Sequence, residues 1–126
     1  MTYAQQFAPL CREKPGVTWD NPFGPDSVCY RVGGKIFAHI LPEGAPGALS
    51  ILLEDESIPR EKVLPMAILR CDPEEGESCR MFFPRSVFRP YHSPRAQWSY
   101  AYTVLLDGRL PEEVLAAMAE HAYQSV

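Results

Sequence analysis

Two adjacent glycines, Gly33 and Gly34, sit between two runs of alternating side chains, and this restricts the fold more than any other feature of the chain. Before them, Val28, Tyr30 and Val32 alternate with polar positions, as in a half-buried strand. After them, Lys35 to Leu41 divides into Ile36, Ala38 and Ile40 on one face and Phe37, His39 and Leu41 on the other. Paired glycines reach the positive φ angles of a two-residue hairpin turn without steric cost. An antiparallel sheet is therefore expected near the centre of the chain.

The flanking segments extend this pattern. Thr2 followed by Gln5 fits a capping box, with Phe7, Leu10 and Cys11 on one helical face and Pro15-Gly16 as the stop. Val17 to Pro25 reads as a loop around Trp19 and Phe23. Leu49 to Leu53 reads as a third strand and Val63 to Arg70 as a fourth, with Pro65 favouring an edge or the start of a strand. Asp72-Pro73-Glu74-Glu75 has the cap, the first-turn proline and the acids of a helix start. Cys79, Phe82 and Phe83 are then expected to face inward before Pro84. Trp98 to Leu106 reads as a last strand. Pro111-Glu112-Glu113 opens a helix with the stripe Val114, Leu115, Met118, Ala122 and Tyr123. The expected order is α-β-β-β-β-α-β-α: an α+β fold with an antiparallel sheet of about five strands and helices packed on it.

Residues 1–126 are expected to form one domain, with 46% hydrophobic and 22% charged residues, as in ordinary globular proteins. No apolar run approaches the ~20 residues of a membrane span. The start, Met1-Thr2-Tyr3-Ala4-Gln5, lacks a basic stretch and an apolar core, so no signal peptide and a cytoplasmic location are expected. Cys11, Cys29, Cys71 and Cys79 form no C-x-x-C pair, and are expected to be buried thiols rather than metal ligands. The chain contains no G-x-x-x-x-G-K-S/T, H-E-x-x-H or G-x-S-x-G motif. No catalytic residue, metal or cofactor is expected.

Charge is unevenly distributed in a chain of net charge −4. From Glu54 to Glu77 eight acids face only Arg60, Lys62 and Arg70. From Arg80 to Leu106 there is no acid at all, while Arg80, Arg85, Arg89 and Arg95 lie among Phe82, Phe83, Phe88, Tyr91, His92, Trp98, Tyr100 and Tyr102. Guanidinium groups beside stackable rings suit phosphates and bases. The same residues suit a half-buried sheet with a solvated rim.

The order of several short motifs resembles the MmcQ/YjbR family. They are Cys11-Arg12-Glu13-Lys14-Pro15-Gly16, Gly33-Gly34-Lys35-Ile36-Phe37-Ala38 and Leu69-Arg70-Cys71-Asp72-Pro73. Arg89-Pro90-Tyr91-His92, Trp98, Leu106-Asp107-Gly108 and the closing Ala122-Tyr123-Gln124-Ser125-Val126 continue the series. Three segments depart from the family pattern: Ala45 to Val63 is longer, Pro94-Arg95-Ala96-Gln97 replaces an Asn-Lys-x-His run, and the stretch holding Tyr100 and Ala101 is also longer. The resemblance implies an α+β fold comparable to frataxin-like and secretion-chaperone-like domains, and DNA binding by a double-wing arrangement.

The expected nucleic-acid-binding set is Lys35, Arg70, Arg85, Arg89, His92, Arg95 and Trp98. For Arg85, Arg89 and Arg95 the alternative is pairing with the acidic segment 54–77. For Glu54-Asp55-Glu56 a cation site and a solvated acidic turn are the two readings. The function expected is weak, electrostatically led, non-enzymatic DNA binding. The alternative is a module for a protein partner or a small anion, with no nucleic-acid role. The sequence does not specify an oligomeric state.

Overall fold

Gly33 and Gly34 take φ angles of +58° and +81° and close a hairpin within the sheet. The computed structural model describes residues 1–91 and 99–126. Its strands are β1 (Val17–Asp20), β2 (Val28–Val32), β3 (Lys35–Leu41), β4 (Met66–Arg70), β5 (Val87–Phe88) and β6 (Ala101–Leu105). They pair in the order β1-β2-β3-β4-β6-β5, every pair antiparallel. The α+β class and antiparallel sheet agree with the expectation from sequence, with six strands in place of about five.

The helices are α1 (Tyr3–Arg12), α2 (Ala48–Leu52), α3 (Pro73–Phe82) and α4 (Glu112–Gln124). The capping box of α1 is complete: the Gln5 amide donates to Thr2 Oγ1 at 3.1 Å, and the Thr2 amide donates to Gln5 Oε1 at 2.8 Å. At α3, the Glu75 amide donates to the Asp72 carboxylate at 2.8 Å. Both caps satisfy backbone donors that a helix start otherwise leaves open. Among the described residues, no helix is long and apolar enough to cross a membrane.

Four local expectations are corrected. Leu49 to Leu53 is not a strand: α2 starts at Ala48 after Gly47 at φ +82°, and Ala48, Leu49 and Leu52 are its buried residues. A five-residue apolar run has no decisive period, and here one helical turn packs better than a strand. Val17–Asp20 is not a loop but an edge strand, held by its register with β2 (Val17 opposite Val32) although its side chains are mostly exposed. Phe82 does not face inward; it is 79% exposed at the end of α3, while Cys79 is buried. Finally, a β-bulge in β3 shifts the register between Tyr30 and Arg31, so that Ile36 pairs with Arg31 and Ala38 with Tyr30. Phe37 is the extra residue, and it enters the helix-side core edge-on to Tyr123. The faces assigned to Ile36 and Phe37 by simple alternation are thereby exchanged.

Strand alternation builds two cores. Ile40, Ala67, Leu69, Val87, Tyr102 and Val104 pack with Phe7 and Cys11 of α1, Cys79 of α3 and Met118, Ala119 and Ala122 of α4. An adjacent residue on each of four strands points the other way: Leu41, Met66, Phe88 and Leu105 pack under α2. Three helices therefore cover one sheet face, and α2 covers part of the other.

Candidate functional site

The part of the second face that α2 leaves open is a groove of about 550 Å³. Its floor follows from register: His39 is opposite Ile68, and Arg70 is opposite Ala101. Ile36 and Leu41 line the same groove, with Phe23 and Tyr91 at its sides. The Tyr91 amide donates to Thr103 Oγ1 at 2.9 Å, which ties that side to β6. Phe23 lies over His39 with ring centroids 5.2 Å apart and planes at 38°.

Two polar atoms interrupt the apolar lining. Arg70 Nε and His39 Nε2 are both buried, and neither has a hydrogen-bond partner among the described residues. Burial lowers the pKa of His39 below its ordinary value, which favours the neutral ring. The groove thus combines apolar surface, a neutral imidazole and one guanidinium.

The residues expected to bind nucleic acid do not form one patch. Arg70 lines the groove, and Lys35 lies exposed at the start of β3, at the same end of the sheet. Arg85 is at the other end: the Leu105 amide donates to the Ser86 carbonyl at 2.8 Å, and Arg109 Nη1 donates to the Arg85 carbonyl at 3.1 Å. Arg89 pairs with Glu54 and donates to the Ile51 carbonyl at 3.1 Å, so it anchors the segment after β5 to α2. His92, Arg95 and Trp98 lie outside the described residues. Among the described residues, no carboxylate forms an ion pair with Lys35, Arg70 or Arg85.

The acidic turn is used locally. Glu54 takes Arg89, and Asp55 accepts from the Ser57 amide at 2.9 Å and its hydroxyl at 2.6 Å. These Ser57 hydrogen bonds hold the Asp55 carboxyl below its ordinary range. All four cysteines are free and buried. Burial pushes Cys11 and Cys79 up to about 12 and Cys71 up to about 11, and raises Cys29 as well.

The groove was not anticipated from sequence, although one signal was present. On β3, Phe37, His39 and Leu41 are as bulky as Ile36, Ala38 and Ile40, the composition of a strand buried on both faces. The meeting of His39 with Arg70 depends on the β3–β4 register, which no local motif reports.

Comparison with solved structures places the fold among known ones. The crystal structure of the Deinococcus radiodurans protein DR2400, described with a DUF419 domain, gives a TM-score of 0.70 at 23% identity, over 98% of this chain and 77% of that one. A Pseudomonas syringae crystal structure gives 0.71 at 24% identity over 95% of each chain. A solution structure from Pseudomonas syringae gives 0.68 at 24%, over 95% of this chain and 89% of that one. At these identities the likeness concerns the fold alone. No curated protein matches. The family model that matches is YjbR, over residues 12–125, and the chain belongs to the YjbR family.

Proposed function

We propose that this YjbR-family protein is a non-enzymatic binding protein that takes polyanions weakly, DNA among them, through a basic corner smaller than the sequence suggests. The supporting observation is that Lys35 and Arg70 lie on neighbouring strands at one end of the sheet, and neither has an ion-pair partner among the described residues. Arg89 is engaged by Glu54, and Arg85 is a strand length away, about 15 Å. High thiol pKa values keep Cys11, Cys71 and Cys79 protonated near neutral pH, where they are poor nucleophiles. Four reduced, buried cysteines suit the cytoplasm.

The corner makes a quantitative prediction. Two neutralised phosphates give a slope of log K against log salt near about −1.8, whereas four would give about −3.6. Fluorescence anisotropy of labelled duplex and single-stranded DNA from low to physiological salt measures it. Saturable binding with the shallower slope, lost in Lys35→Ala, is expected. No binding at low salt, or binding indifferent to Lys35→Ala, would overturn the reading. The groove itself favours a second reading, a small-anion module.

A further inference from the structure

We propose that the open-face groove is a binding site for a small amphipathic organic anion: a flat apolar body carrying one carboxylate. The volume of about 550 Å³ is in the range of small-molecule sites, and such sites combine apolar walls with a few polar groups that orient the ligand. Ile36, Leu41, Ile68 and Tyr91 supply the walls. Arg70 Nε and His39 Nε2 are buried polar atoms with no hydrogen-bond partner among the described residues. Folding removes these atoms from water and returns no hydrogen bond; for the Arg70 Nε donor, a ligand carboxylate reverses that loss.

Charge selects the ligand's sign. Among the described residues no carboxylate pairs with Arg70, so its positive charge is available to a negative head group. A carboxylate on a guanidinium makes a charge-assisted bond, stronger than a neutral one. Register selects the shape. His39 is opposite Ile68, so Arg70 is its diagonal neighbour, about 7–8 Å away between α- or β-carbons. The imidazole therefore meets the body of the ligand rather than its head. Phe23, 5.2 Å from His39 by ring centroids, gives a flat body an aromatic neighbour.

Calorimetry and thermal shift with 2-naphthoate, 2-naphthamide and inorganic phosphate test the site. Naphthoate is expected to bind with a Kd below about 1 mM and to raise the melting temperature. The neutral amide should bind at least about tenfold more weakly, and phosphate alone should produce no shift. Arg70→Met should remove naphthoate binding yet leave the melting temperature unchanged or higher, because it deletes a buried, unpaired donor. Ile68→Trp fills the groove and should block naphthoate without touching the charge. Lys35→Ala should leave naphthoate binding intact, which separates this site from the polyanion corner. Equal binding of amide and carboxylate, a phosphate shift as large as naphthoate's, or undiminished binding in both Arg70→Met and Ile68→Trp would overturn the proposal. So would the absence of naphthoate binding.

Discussion

The two faces of the sheet are made by the same strands, yet they are closed differently. On one, α1, α3 and α4 bury a continuous cluster that includes Phe7, Phe37, Tyr102 and Met118. On the other, α2 covers only the end formed by Leu41, Met66, Phe88 and Leu105, and the rest is the groove around His39, Ile68 and Arg70. Among the described residues the first cluster contains nineteen buried residues and the second six, so stability resides mainly on the helix side. Buried polar atoms without a hydrogen-bond partner among the described residues occur on both faces. Tyr102 Oη and Arg80 Nη1 lie on the helix side, and His39 Nε2 and Arg70 Nε on the other, where the latter two residues line open space. One face is organised for folding, and the other leaves room for a ligand.

Substitutions can test this contrast. The largest effect is expected for Phe37→Ala, since a fully buried aromatic at the bulge loses its contacts with α4: about 3–5 kcal/mol by chemical denaturation. Leu49→Ala under α2 should cost less, about 2–3 kcal/mol, because the smaller cluster has more freedom to relax. An equal or larger loss there would show that the second face is as structural as the first. The Arg89–Glu54 pair, whose Glu54 side chain is 68% exposed, should contribute only about 0.5–1 kcal/mol in a double-mutant cycle with Arg89→Ala and Glu54→Gln.

The smallest effect expected concerns pH. Burial lowers the pKa of His39 from its ordinary 6.5, so the unfolded chain holds the proton more tightly than the folded one. The stability contributed by the neutral ring is complete above about pH 6.5 and is lost as pH falls through the folded value. Arg70 and Tyr91 line the same groove. His39→Phe should flatten this part of the acid limb in urea melts taken across the window. An unchanged limb would mean that the imidazole is solvated.

Much of the fold was legible because its signals are local. The Gly33-Gly34 turn, the Thr2–Gln5 box, the Asp72-Pro73 cap and the stripe of α4 each concern residues within a few positions of one another. Val17–Asp20 carries no strand signal in the sequence because its strand exists through pairing with β2, not through a buried face of its own. Leu49 to Leu53 reads as a strand but folds as a helical turn, because a short apolar run suits either equally well. Phe82 resembles a core residue by type, yet the rotation of α3 leaves it in water.

The candidate site shows the same division. Arg70 and Lys35 were identified from sequence as cations, while His39 gained its role only when β3 paired with β4. Arg89 was identified as a phosphate contact or a partner of the acidic segment, and its pairing with Glu54 selects the second. Residue type and short spacing specify turns, caps and alternating faces, because backbone geometry responds to immediate neighbours. Which half of the outer sheet face α2 covers, and which cations remain unpaired, depends on side chains more than thirty positions apart that meet only in the folded chain.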